Sequence, residues 1–299
     1  MGMFWILVLL IGIEEYLLTI LLISCGAGFL GSLIGIGGGV IIVPVLTIVY
    51  GIPLQYALGA SIISVIATSS GSASAYLREK ITNLRIGTFL LIATTFGAVL
   101  GAIATLSLIR SGFEWLILFV FGFVLIYSSY NVYKKGRAGL KSNRSLANQE
   151  PNQLAELLDL KGEYYDEVRR ENVTYEAAHV IPGFSVMFIA GIFSGLLGIG
   201  SGALKVLGMD TLMKLPFKVS TTTSNLMIGV TAVASAGIYY IQGFINPLLA
   251  APIAFGVVLG SIVGTKILVR SKPSSLRFLF VIILLVLGLE MIQRGLQRL

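Results

Sequence analysis

Along most of this chain the apolar positions do not alternate with polar ones. They fill runs of about 20 residues, the length an α-helix needs to cross about 30 Å of hydrocarbon. Such runs cover 16–34, 55–77, 84–109, 113–133, 181–197, 219–241, 245–269 and 276–293, with two shorter ones at 40–50 and 203–209. The pattern predicts an all-α, multi-pass membrane protein of eight to ten helices. One long polar stretch, 134–180, divides it into a first membrane unit at 1–133 and a second at 181–299. Within that stretch NQLAELLDL predicts a short amphipathic helix. Tyr164–Val168 and Val173–Val180, flanking the polar Arg169–Asn172, predict a small β-hairpin.

The second unit repeats the first. A shift of 163 residues carries Gly35, Gly37 and Gly39 onto Gly198, Gly200 and Gly202, and Pro53 onto Pro216. The same shift carries Ser61 to Ser224, Tyr76 to Tyr239, Asn83 to Asn246, and the pair Gly97 and Gly101 to Gly260 and Gly264. One register holds over roughly 65 positions, which marks an internal duplication.

Charge then orients the copies. The loop after the 55–77 run is basic, with Arg78, Lys80 and Arg85, whereas its counterpart near Gln242–Asn246 is uncharged. The loop at Gly51–Gln55 carries no charge, whereas its counterpart holds Lys214 and Lys218. After the fourth segment the first copy has only Arg110, against Arg270, Lys272 and Arg277 in the second. Positive residues stay cytoplasmic, so this alternation predicts inverted copies. Lys134, Lys135, Arg137, Lys141 and Arg144 then place the central stretch in the cytoplasm and both termini outside. Arg294 and Arg298 run against that assignment.

Composition agrees and excludes several classes. Of 299 residues, 56% are hydrophobic and 12% charged, with a mean hydropathy of +0.92, too apolar for a water-soluble core to bury. The net charge of +7 reads as topology rather than nucleic-acid binding. The opening MGMFWILVLLIGIEE has no Lys or Arg before its apolar part and no small-residue cleavage site, so no removable signal peptide is expected. The single Cys25 excludes an internal disulfide and any CxxC site. Asn172 opens an N-x-T triplet on the predicted cytoplasmic side, where it is no glycosylation signal. His179, the one histidine, reads as a satisfied residue at the membrane edge.

The two short runs carry the candidate chemistry. Eleven residues rise about 16 Å, roughly half the hydrocarbon thickness, so each run must return from within the membrane. Each follows a glycine break, GIGGG at 35–39 and GIGSG at 198–202, where permissive torsions allow a reversal. Non-helical backbone at that depth must be buried in protein or line a wet cavity, so the loops are expected to meet. Half-helices starting after Gly39 and Gly202 would aim their N-terminal N–H groups at one region, an anion-binding arrangement. The Gly97/Gly101 and Gly260/Gly264 pairs read instead as close helix packing.

Beside the loops stand Ser61, Ser64, Thr68, Ser69, Ser70, Ser72 and Ser74 in the first copy, and Ser220–Asn225 in the second. Most such hydroxyls bond to backbone. Asn225 stands where the first copy has Ile62, and Lys205 where it has Ile42. An intramembrane lysine needs a partner: an anion, Asp210, or the surface reached by snorkelling. The expected substrate contacts are Gly37, Gly38, Gly39, Ser61, Gly200, Ser201, Gly202, Lys205, Thr222, Ser224 and Asn225. Arg78, Glu79 and Lys80 read as a topology anchor. No catalytic set, metal motif or cofactor motif is present; GIGGG lacks the βαβ context of a dinucleotide loop.

The stretch GIGGGVIIVPVL, with the Pro53–Ser61 stretch and its ALGAS, resembles the first signature of the TauE/SafE family. GIGSG and LPFKVSTTTSN stand in the matching place of the second copy, which departs from the first at Leu207 for Pro44 and Lys205 for Ile42. The resemblance covers nearly all of the chain outside the central stretch. It implies a permease that exports sulfite, sulfonates, sulfoacetate or related organosulfur anions, with a small anion and the lipid bilayer as partners. A second copy of the chain is a candidate subunit partner. A passive anion channel and a non-transport membrane enzyme or assembly factor are the alternatives.

Overall fold

The computed structural model describes residues 13–35, 37–78, 81–138, 153–166, 170–270 and 274–298. The opening twelve residues, Glu79, Lys80, Lys141, Arg144, Val168, Arg169 and Lys272 lie outside them. Among the described residues there are eleven α-helices and one two-stranded sheet. The first five helices are α1 (Ile13–Ile34), α2 (Gly39–Ile48), α3 (Leu54–Arg78), α4 (Leu84–Arg110) and α5 (Glu114–Ala138). The insert holds α6 (Gln153–Leu157), β1 (Lys161–Asp166) and β2 (Glu171–Glu176). The last five are α7 (Val180–Leu197), α8 (Gly202–Leu207), α9 (Phe217–Ile241), α10 (Pro247–Arg270) and α11 (Ser274–Leu296). A π-helical turn, Gly208–Leu212, extends α8.

Five helices, α3, α4, α7, α9 and α10, are long and apolar enough to cross a membrane. The chain is a multi-pass membrane protein. Large apolar side chains such as Ile92, Phe96, Phe123, Phe255 and Leu289 face outward, while Ser61, Ser64, Thr94, Ser224 and Thr231 are buried inside. Lipid, not water, explains that distribution, because helices in lipid gain most by packing small and hydroxylic surfaces together.

Helix pairing follows the repeat. α1 lies along α10 as α7 lies along α4, α3 pairs with α9, and α5 pairs with α11. The close approaches are reciprocal. A Cβ on Gly97 would sit 2.2 Å from the Phe188 carbonyl oxygen, and one on Gly260 would sit 1.9 Å from that of Cys25. Phe188 and Cys25 are themselves related by the 163-residue shift, as are the partners of Gly101 and Gly264, Ile192 and Phe29. These glycines therefore pack helices.

Contacts also place the loops at two opposite ends of the bundle. At one end Arg294 bonds the Thr47 and Ile48 carbonyls, Arg298 pairs with Glu114, and Arg110 donates to Gln242. At the other, Asn83 and Arg85 hold the insert and the Asn83 N–H donates to Thr223. The equivalent helices α3 and α9 run antiparallel, with Ser69 bonding the Asn225 carbonyl and Gly59 against Phe244. So do α5 and α11, from Glu114 with Arg298 to Ser129 with Val281.

The insert differs in register from its expectation. Lys161 pairs with Glu176 and Asp166 with Glu171, so both strands begin earlier than the pattern of apolar residues suggested. The reason is the entry into α7. Ala178 donates its N–H to the Met213 carbonyl and His179 takes a left-handed conformation (φ 43), which ends the extended run before Val180. Asn83 is the clamp beneath. Its Oδ1 caps α4 at the Ile86 N–H, while its Nδ2 donates to the Lys161 carbonyl and the Tyr175 hydroxyl, each at 3.1 Å.

Candidate functional site

The two glycine breaks share left-handed turns at two equivalent positions. Gly35 and Gly198 turn at φ 78 and 62, and Gly37 and Gly200 at φ 83 and 74. Only glycine adopts that region without strain, which is why α1 and α7 end and the chain reverses there. Neither break has room for a side chain. A Cβ on Gly37 would meet Ile228 at 3.0 Å, and one on Gly200 would meet Val65 at 2.8 Å and Ile228 at 3.1 Å. Val65 and Ile228 are repeat equivalents, and both breaks close on this pair. Sequence reasoning missed them because they are ordinary apolar residues; their place one turn beyond Ser61 and Ser224 was the available signal.

Each break is held by a hydroxyl of the other copy. Ser61 donates to the Gly198 carbonyl at 2.6 Å and Ser224 to the Gly35 carbonyl at 3.0 Å, two bonds related by the repeat. Ser61 also abuts Gly39, and Ser224 lies 3.3 Å from the Gly202 carbonyl. Both serines are fully buried. The starts of α2 and α8 therefore converge, since a Cβ on Gly39 would be 3.3 Å from the Gly198 carbonyl. From there the two short helices run to opposite ends. α2 finishes at the Arg294 guanidinium, which bonds Thr47 O at 2.9 Å and Ile48 O at 3.1 Å. The π turn after α8 finishes at His179, whose Nδ1 lies 3.2 Å from Leu212 O. Arg294 is thus a cap on the carbonyl end of α2, a role that its reading as a topology signal overlooked.

Lys205 does not snorkel. It is fully buried and its Nζ donates to Thr231 Oγ1 at 3.0 Å, with Thr94 Oγ1 3.2 Å beyond. Ser201 takes a left-handed conformation (φ 40) and bonds back to the Ala190 carbonyl. Thr222 bonds its own helix at Val219 O, so its hydroxyl is not brought to the breaks. Gly38 lies against Thr68, where a Cβ would be 3.2 Å from the hydroxyl. Asn225 donates its Nδ2 to the Ser32 carbonyl at 3.2 Å. Its Oδ1 is buried without a partner among the described residues. Asn225 therefore presents an unpartnered oxygen, and its amide nitrogen has a second N–H beyond the one given to Ser32.

These features define a mainly helical, multi-pass membrane protein built around two broken helices that meet inside the bundle. The sequence pattern of the Sulfite exporter TauE/SafE family matches residues 20–291, and the chain belongs to that family. It is 28% identical over 277 residues to the probable membrane transporter protein YunE of Bacillus subtilis, covering 90% of this chain and 94% of that one. A probable membrane transporter protein of Methanocaldococcus jannaschii is 27% identical over 295 residues, 93% of this chain and 97% of its own. No solved structure matches the chain.

Proposed function

We propose that the protein exports a small organosulfur anion, sulfite, sulfoacetate or another sulfonate, across the inner membrane by alternating access, and that it is not an enzyme. The observation that carries this reading is the meeting of the two glycine breaks, each held by a serine of the opposite copy. Helix starts present unpaired N–H groups and about half a positive charge, so two converging starts favour an anion. Gly37–Gly39 and Gly200–Gly202 supply backbone, Ser61 and Ser224 exchange a carbonyl for the anion, and Lys205 supplies the full positive charge. Ser201 supplies backbone at the start of α8, while Thr222, its hydroxyl bonded within its own helix, supplies no side-chain contact.

The copies are read as inverted, supported by the antiparallel α3/α9 and α5/α11 pairs. With the insert, Arg85, Lys214 and Lys218 at one end, the positive-inside rule makes that end cytoplasmic. The start of α1 and the end of α11 are then outside. A homodimer is compatible with this arrangement and tested by mass in detergent.

The test is counterflow in proteoliposomes. A carrier preloaded with unlabelled sulfite or sulfoacetate accumulates labelled anion transiently, and Lys205→Ile abolishes it. A channel gives conductance without counterflow and would replace this reading.

A further inference from the structure

The repeat provides an internal control for what surrounds each glycine break. Around Gly198, beside the Ser61 hydroxyl, a Cβ would meet the Leu58 backbone carbonyl at 3.0 Å and the apolar side chain of Ile62 at 3.4 Å. The same two positions around Gly35 are Thr221 and Asn225. Thr221 packs directly on Gly35 through its methyl and backbone, with Cγ2 and the carbonyl oxygen each 2.9 Å from the Gly35 Cβ position, and its hydroxyl sits on the same Cβ as that methyl. Asn225 reaches the last turn of α1 through Ser32 O. Both are fully buried, and both leave an oxygen, Thr221 Oγ1 and Asn225 Oδ1, without a partner among the described residues. An unsatisfied buried polar group costs about 1–3 kcal/mol, and an amide oxygen and a hydroxyl one turn apart on one helix can both turn lone pairs to a ligand.

The polarity of that ligand follows from the donors. Turning Asn225 over would set its oxygen against the Ser32 carbonyl, so the atom of its side chain without a partner among the described residues is the amide oxygen. A hydroxyl one turn away at Thr221 offers a second oxygen on the same face. α1 ends here, and a helix end carries about half a negative charge. Oxygen donors, a carbonyl-bearing helix end and an unwound break together form the chemistry that holds a hard cation in discontinuous transporter helices. Thr221 and Asn225 are both neutral, so the donor pair suits a single positive charge rather than two.

We propose that the first glycine break binds a monovalent alkali cation, Na+ as the chosen probe, through Asn225 Oδ1 and Thr221 Oγ1 at the carbonyl end of α1. The second break, with Leu58 and Ile62 in those places, has no such site and keeps Lys205 for the anion. The proposal rests on the transport reading only for the use of the ion, since its binding is measured separately.

The experiment is thermal unfolding of the purified full-length protein in detergent, in choline chloride, KCl and NaCl at equal ionic strength. Na+ is expected to raise the midpoint in a saturable way, by about 3 °C at ten times its Kd. Asn225→Ile, which installs the residue of the other copy, should fold and lose the shift. Thr221→Val should need about ten times more Na+. Equal midpoints in choline and Na+ overturn the proposal, as a buried water on the same oxygens would give. So does a shift that survives in both variants. A shift with taurine but not Na+ also overturns it, assigning the oxygens to a substrate ammonium. Anion binding is scanned with choline salts in the absence of Na+, so loss of one shift with retention of the other tells the two readings apart.

Discussion

The two glycine breaks share left-handed glycines at two equivalent positions, a reciprocal serine staple and the Val65/Ile228 wedge, yet the side chains around them differ in polarity. Beside the first break stand Thr221 and Asn225, each with a side-chain oxygen that has no partner among the described residues; the second has Leu58 and Ile62 in those places. The helix after the second carries the buried Lys205 where the helix after the first has Ile42. What the duplication kept is the fold of the break. What it changed is the polarity of the side chains around each break.

That comparison can be broken most severely at the backbone. Gly200→Ala places a Cβ 2.8 Å from Val65 at a positive φ, and should lower stability by about 2–4 kcal/mol and abolish transport. Thermal unfolding checks this, and adding Val65→Ala should recover part of the loss. Next in size is Lys205→Ile, which makes the second half-helix like the first. Replacing a buried charge by a packed apolar residue should leave stability equal or raise it by about 1–4 kcal/mol, while counterflow falls at least about a hundredfold. Loss of both would make Lys205 structural. Ile62→Asn tests the other direction, placing an amide at the second break without the Thr221 equivalent, and should cost about 1–3 kcal/mol by unfolding in the absence of any cation.

The smallest effects concern the insert and sidedness. Asn83→Ala removes the cap of α4 and the clamp on Lys161 and Tyr175, and should cost about 1 kcal/mol and raise amide exchange in β1 and β2. In a Cys25→Ala background, Asn172→Cys should leave transport unchanged and react with an impermeant thiol reagent only after the cytoplasmic side is opened. Labelling in intact cells would reverse the topology.

Much of the architecture was legible because membrane helices announce themselves by length and the repeat keeps one register. The half-length runs gave α2 and α8, and the paired glycines gave the breaks. The site was less so, since a residue type does not reveal which of its atoms is already used. Asn225 reads as a polar contact in sequence; only the bond from its Nδ2 to Ser32 shows that an acceptor remains. Arg294 reads as a charge on the wrong side, until it is seen closing the carbonyl end of α2. Thr222 looks equivalent to Ser224, but it lies about 200° around the helix from it and bonds Val219 O. The strand register shifted because His179 turns the chain into α7, a tertiary demand that local propensity does not encode.

The most direct measurement of the central claim is counterflow of labelled sulfite or sulfoacetate in proteoliposomes, comparing the unaltered protein with Lys205→Ile and Asn225→Ile. Transient accumulation in the unaltered protein and its loss in Lys205→Ile are the predicted results. Absence of accumulation with every sulfur oxyanion, or full counterflow in Lys205→Ile, would contradict an anion site at the junction of the two breaks.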